Sequence, residues 1–596
     1  MLNLSEKIKN WIAYSVMFFS LLFMFFICFF SSRGAFGFPA DSEIVDEIAH
    51  IASGYSCVKY GDFRLNPEHP PLAKALACLP LSLSKKVNGI QDCLFYKKIN
   101  QWETGSYMLY KNGNDPLYIV KTARLPMIFL TIALGCVLFF FTKKQFGRLE
   151  AIFAIMIFSL YPDIIAHGRL VTTDIAAAFG YVITIYSFDY ALNHRGCKGI
   201  VLAGFCLGIA NLLKFSSLLL FIILFILICI RSSMEKNDSN NFEQIFRKYV
   251  YKYILICLLC FLVVWVFYIP FVWNTPPEIQ ARLIVKSIAA NPENEPLRIF
   301  LHFFENNSIL RALGHYFLGI SLVFNRVTNY NLTFILGKIS NDAIFWYFPV
   351  AWLLKTPLPI IFLFFSSIVY LFVNKRKKEE KWKIWMILTP FIVYWLAALT
   401  GSLNIGIRHL LPTIPFAIMI ISYFLAKILR EKKYLKTKYA SVILLFVFLG
   451  YSTLLNYPYY LAYFNELIPK DQKYKYLTDS SLDWGQSLLG LKKYVEDNKI
   501  QEIKFSSFGC SIPEYYIKEI SKWHHPNSPT TGFIAVSATV YQSSKINGKL
   551  NHKWSCHWLD KFKPIAQVGG GAILIFHITE EDLIKHPPKS PYPVFD

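Results

Sequence analysis

Apolar residues in this chain are bunched into long unbroken runs, not spaced with the period of a surface helix or an alternating strand. The run Trp11–Phe30 holds no charged residue and is long enough to cross roughly 30 Å of hydrocarbon. Comparable runs follow at about Ile128–Thr142, Ala151–Tyr161, Ile175–Leu192, Ile200–Leu213, Phe215–Ile230, Tyr253–Phe271, Leu358–Val373, Ile384–Leu399, Leu410–Ile428 and Ser441–Leu455. The pattern predicts about eleven transmembrane helices. Leu72–Leu83 is apolar but short, which suits an interfacial or docked helix. The aromatic stretch Phe345–Leu354 reads as interfacial, and Gly204 with Gly208 as a helix-packing surface. After Leu455 charges and turn residues return. Gln486–Asn498 predicts an amphipathic helix, and Glu502–Phe508, Gly532–Ala538 and Ala572–Ile578 predict short strands. The expected architecture is an all-α polytopic bundle over 1–456 with a C-terminal α/β domain over 457–596.

Composition agrees: of 596 residues 54% are hydrophobic and 17% charged, too few charges to cover a string of soluble domains. The net charge of +22 is distributed against a nucleic-acid reading. Lys7 and Lys9, Lys143-Lys144, Arg148, Arg195, Lys198, Arg231, Lys236, Arg247-Lys248, Lys375–Lys378 and Arg430–Lys438 occupy alternate loops, the cytoplasmic ones by the positive-inside bias. A multi-pass inner (plasma) membrane protein is expected, its N-terminus inside. The first outer loop at 33–123, a later one at 272–343 and the tail from 457 then share the non-cytoplasmic side. Trp11–Phe30 is longer than a signal-peptide core and is read as a retained span. Twelve cysteines lack metal-type spacing; five fall on the outer side, and no pairing follows.

That outer side gathers ionisable residues. In Asp41-Ser-Glu43-Ile-Val-Asp46-Glu47-Ile-Ala-His50, a helix puts Glu43, Glu47 and His50 on one face with Asp46 beside them. A carboxylate here suits a general base; a solvated helix start and a metal pair from Asp46 and His50 are the alternatives. His69 and Lys74 flank the rigid turn Pro70-Pro71, a place for an anionic lipid headgroup or for plain interfacial anchoring. Arg124 and Lys214 sit at span ends, where ionisable groups are costly and either functional or snorkelling. Asp174 closes the short turn His167–Asp174, and Arg408-His409 lies in the loop Gly401–Pro412. The sequons at Asn306 and Asn331 are short enough to arise by chance.

Asp46-Glu47 followed by His69-Pro70-Pro71-Leu72-Ala73-Lys74 resembles the protein O-mannosyltransferases of glycosyltransferase family 39, and the whole chain resembles phospholipid-carrier-dependent glycosyltransferases of the GT-C fold. His167–Asp174, Lys355–Pro359, Asn404–Pro412 and Asp479-Ser-Ser-Leu-Asp483-Trp484-Gly485-Gln486 support it. The resemblance implies inverting transfer from a polyprenyl-phosphate sugar to a hydroxyl of a glycan, lipid or protein acceptor, with no cofactor and no catalytic metal. It implies Asp46 as base, Glu47 as an orienting carboxylate and Arg124 on the lipid phosphate. Asp174 resembles the second outer-loop carboxylate of aminoarabinose transferases. Lys74, Lys214, Arg408 and His409 complete the expected phosphate and lipid contacts, with His50 and Asp174 toward substrate. His69 stands where those relatives carry lysine. A metal-dependent oligosaccharyltransferase and a lipid-sugar transporter or flippase are the competing readings; a transporter predicts internal repeats and ionisable mid-membrane residues with broken helices in matching positions, absent from this pattern.

Overall fold

A computed structural model describes residues 5–587, except 237–240, 290–291, 329–330, 432, 522, 524–527 and 546–555. The last residues, to Asp596, lie outside the described part. All eleven apolar runs form helices. Among the described residues eight helical segments are long and apolar enough to cross a membrane: Glu6–Arg33, Pro116–Gln145, Asp174–Asn193, Phe215–Glu235, Phe242–Val272, Lys378–Thr400, Ile407–Arg430 and Leu435–Leu455. The other three, Arg148–Ser159, Cys197–Leu213 and Leu358–Val373, are shorter. Sharp starts have local causes. Ser5 accepts from the Ile8 N–H and Asp115 from the Leu117 N–H, while Pro71, Pro116 and Pro277 open helices where no N–H is needed.

Small residues set the closest approaches. A Cβ on Gly54 would lie 2.3 Å from the Lys74 carbonyl oxygen, so Val45–Tyr60 and Pro71–Leu83 touch backbone to backbone. Gly204 and Gly208 play the same part between Cys197–Leu213 and Phe242–Val272, where a Cβ would meet Leu259 and Val263. Pro71–Leu83 therefore docks on the bundle. The aromatic stretch after Phe345 folds into the helix Tyr347–Lys355.

The C-terminal unit holds five strands where three were expected: β3 (Ile503–Ser506), β4 (Ile520–Ser521), β5 (Gly532–Ser537), β6 (Ala566–Val568) and β7 (Ile573–Ile578), in the order β4-β3-β5-β7-β6. β4, β3 and β5 run parallel; β7 pairs antiparallel with β5 and β6. β4 and β6 are too short for their alternation to register in the sequence. A hairpin of β1 (Thr333–Ile335) and β2 (Lys338–Ser340) was likewise unforeseen. Alternation gives the five-stranded sheet two apolar faces. Leu488, Leu491 and Val495 of the helix Leu488–Asp497 cover Ile503, Ala535, Ile573 and Ile575. Ile534, Val536, Leu574 and Phe576 join the bundle's own core through Tyr460, Leu482 and Trp484. Residues 457–487 thread between the two. The Asn465 N–H donates to the Leu354 carbonyl (2.9 Å), and Lys355 Nζ to the Leu461 (2.9 Å) and Ser481 (2.7 Å) carbonyls.

Candidate active site

The helix Val45–Tyr60 begins one residue before Asp46, so neighbouring carboxylates turn about 100° apart. Asp46, Ala49 and His50 form one stripe and line a cavity of about 650 Å³. Glu47 points the other way and is fully buried. Glu43 precedes the helix, capped into a separate nest by the hydroxyls of Tyr110 and Tyr516 (the latter 2.9 Å). The sequence expectation of Glu43, Glu47 and His50 on one face therefore fails, because helical phase starts only at Val45.

Glu47 is a strut. Its Oε1 accepts from Arg124 Nε (2.8 Å) and the Val171 N–H (3.0 Å), its Oε2 from Arg124 Nη2 (2.6 Å) and the Ile44 N–H (3.0 Å). Arg124 also donates to the Ser42 carbonyl (2.7 Å) and weakly to the Asp41 carbonyl (3.3 Å). Arg124 has no exposed surface and lies outside the cavity lining, so it is not placed to hold a lipid phosphate. Lys74 is also removed from that role. Its ammonium donates to the Asn66 carbonyl and side chain (2.8 and 2.9 Å) and to the His69 carbonyl (2.8 Å), which uses all three N–H bonds. It braces the turn that His69 belongs to.

The cavity gathers the remaining candidates from distant parts of the chain: Asp46, His50, His69, Asp174, Lys214, Arg408 and His409. Arg408 Nη1 meets Asp46 Oδ2 at 2.7 Å and stands 3.6 Å from Asp174 Oδ2. Lys214 Nζ meets Asp174 Oδ1 at 2.5 Å. The Trp484 ring supports the Arg408 guanidinium from 4.1 Å, a cation–π contact that fixes the fork. His50 shares its Nδ1 hydrogen with the Val171 carbonyl (2.9 Å), which fixes the tautomer and leaves Nε2 bare. Burial holds His50 below the usual histidine range, Asp46 opposing it. Burial, helped by His50 and the cations Lys74 and Lys214, holds His69 well below that range, so His69 offers a hydrogen bond and not a charge. His409 Nε2 is buried without a partner among the described residues.

Sequence reasoning passed over four lining residues: Arg326, Trp102, Asp479 and Trp484. The last two belong to the phrase Asp479–Gln486, whose only signal was its place in a family-like string. An apolar wall of Leu218, Leu219, Ile222, Val323 and Phe324 completes the cavity, with Ile222 54% and Phe324 62% exposed on the bundle surface. Among the described residues no three His, Cys, Asp or Glu side chains cluster as metal ligands.

Residues 120–267 match the model of the family described as dolichyl-phosphate-mannose-protein mannosyltransferase. Comparison with curated proteins by sequence finds no significant match. The fold is similar to the Saccharomyces cerevisiae protein O-mannosyltransferase Pmt1-Pmt2 complex, solved with its sugar donor, at TM-score 0.52 and 11% identity over 77% of this chain and 90% of that one. Weaker similarities reach the Archaeoglobus fulgidus oligosaccharyltransferase (TM-score 0.47, 11% identity, 89% of this chain and 71% of that one). They also reach ArnT from Cupriavidus metallidurans (TM-score 0.43, 10% identity, 95% and 97%). The chain is a multi-pass membrane protein whose fold is similar to that of a protein O-mannosyltransferase and whose residues 120–267 match the mannosyltransferase family model.

Proposed function

We propose that this chain transfers a sugar, with inversion, from a polyprenyl-phosphate donor to an acceptor hydroxyl on the outer face of the plasma membrane. One observation carries the reading: a single cavity combines a part-exposed carboxylate, three cations and an apolar wall open on the bundle flank. Asp46 is 20% exposed at its side chain, beside Arg408, Lys214 and Arg326. The family matched over 120–267 is named for a lipid-phosphate mannose donor and a protein acceptor, which supports the donor class.

In this mechanism Asp46 takes the proton of the acceptor hydroxyl as the oxygen attacks the anomeric carbon. The bond from that carbon to the phosphate oxygen breaks, and the lipid phosphate leaves with the negative charge. A phosphate leaving group needs fixed positive charge more than a proton donor. Arg408 supplies it with a paired fork, Lys214 as a compact charge, and His409 Nε2 adds a hydrogen bond. Arg408 serves two carboxylates before the donor arrives. A phosphate drawing it away leaves Asp46 with less positive charge nearby, and a stronger base.

The test is mass spectrometry of glycolipids and surface glycans in cells lacking the protein. Accumulated polyprenyl-phosphate sugar, cleared by wild type and not by Asp46→Asn, is expected; unchanged lipid-linked sugars and glycans reject the reading. A reporter fused after Asp596 should be active only outside the cytoplasm. Activity that vanishes in chelator and returns with a divalent ion would favour a metal-dependent oligosaccharyltransferase.

A further inference from the structure

Four carboxylates line the cavity, and three are occupied by side chains of the protein. Asp46 holds Arg408, Asp174 holds Lys214, and Glu68 accepts from Asn66 (3.0 Å) and Gln101 (2.9 Å). Asp479 differs. Its Oδ1 accepts the neighbouring Ser480 N–H (2.5 Å), and among the described residues it has no side-chain donor and no ion pair. A carboxylate that faces a cavity without a side-chain partner has hydrogen-bonding capacity left for a ligand.

Asp479 is also held rigidly. Its φ of 53° lies in the left-handed region, which short carboxylate side chains tolerate better than most. Its N–H donates to Thr539 Oγ1 (2.9 Å), and its carbonyl accepts from the Leu482 and Asp483 N–H groups (2.9 Å each). Ser480 Oγ donates to the Ile405 carbonyl (2.6 Å). A Cβ on Gly406 would fall 2.0 Å from that hydroxyl, so only glycine lets this turn sit against the loop carrying Arg408. Lys355 clamps the next carbonyl, that of Ser481 (2.7 Å). Burial pushes the Asp479 carboxyl up to about 6, with Arg408 opposing. An anionic phosphate is repelled here; a neutral hydroxyl fits.

Resting on the glycosyl-transfer reading above, we infer that Asp479 is a specificity-determining residue whose carboxylate, free of side-chain partners among the described residues, accepts a hydrogen bond from a ring hydroxyl of the transferred sugar. The C-terminal segment, not the helical bundle, then sets which sugar the cavity holds.

The test uses full-length protein in nanodiscs, titrated with short-chain polyprenyl phosphate and with its mannosyl, glucosyl and galactosyl esters. Asp479→Ala should weaken the best-bound sugar ester about tenfold to a hundredfold, the range of a hydrogen bond to a charged group, and leave bare polyprenyl phosphate unchanged. Unchanged affinity for the bare lipid also shows that the variant is folded. Asp479→Asn, which keeps an acceptor oxygen, should fall between. Equal weakening of bare lipid and ester, or of neither, overturns the inference. A wild-type protein that binds none of these lipids sinks the glycosyl-transfer reading, and this inference with it.

Discussion

Two charge clusters sit one residue apart in sequence and follow opposite rules. Around Glu47 and Arg124 both carboxylate oxygens are filled, both side chains are fully buried, and the bonds join the two side chains to each other and to backbone groups of three separate segments. Around Asp46, Arg408 serves two carboxylates, His409 Nε2 has no partner among the described residues, and the cluster faces open volume. A satisfied buried network holds a fold, whereas an under-satisfied one at a cavity wall has capacity left for a ligand. The Asp-Glu pair thus divides into a member that faces the cavity and a structural one.

The comparison breaks first at Asp46. Asp46→Asn should lower transfer about 10²- to 10⁴-fold, the usual worth of a positioned base, with donor affinity and thermal midpoint nearly unchanged. Near-normal turnover would remove Asp46 from the chemistry. Next comes Arg124→Ala, which strands a buried carboxylate and should cost about 3–5 kcal/mol of stability. Thermal unfolding in detergent would register it, while donor affinity per folded molecule should hold; a selective loss of donor binding in well-folded protein would return Arg124 to the phosphate. Lys214→Met should weaken polyprenyl phosphate binding by about 1.5–3 kcal/mol, the contribution of a charged hydrogen bond, measured by titration in nanodiscs.

The smallest effect sharpens the contrast through pH. The Asp479 carboxyl titrates near 6 when folded, above its unfolded value. Its favourable contribution is therefore complete below about pH 4 and is lost as pH rises toward 6. Asp479→Asn should match wild type in thermal midpoint at pH 4 and exceed it by a few degrees above pH 6. A constant difference across that range would place the carboxylate in water.

Hydrophobic bunching made the helices legible, because a membrane span is a local property of about twenty residues. All eleven runs fold as helices, though among the described residues only eight helical segments are long enough to span, and β3, β5 and β7 sit within the expected strands. What stayed hidden depends on helical phase and on distant pairing. Asp46 and Glu47 look alike until the helix start at Val45 turns them apart. Lys74 reads as a free cation until Asn66 and His69 fold back on it. Nothing local shows that the Ser42 N–H donates to the Gln486 carbonyl (3.0 Å), or that the Val45 N–H donates to the Trp484 carbonyl (2.9 Å). Those two bonds bring Asp46 and Asp479 to one wall.

The seating of Ser480 against Gly406 has a consequence for biosynthesis. At 5–20 residues per second, the chamber lacks its final wall for several seconds after the last apolar helix, Leu435–Leu455, has left the ribosome. A polypeptide ending at 456 would lack Asp479, Trp484 and Phe508 from the cavity wall. The cavity is complete only when the segment after 456 has folded back onto the first fifty residues.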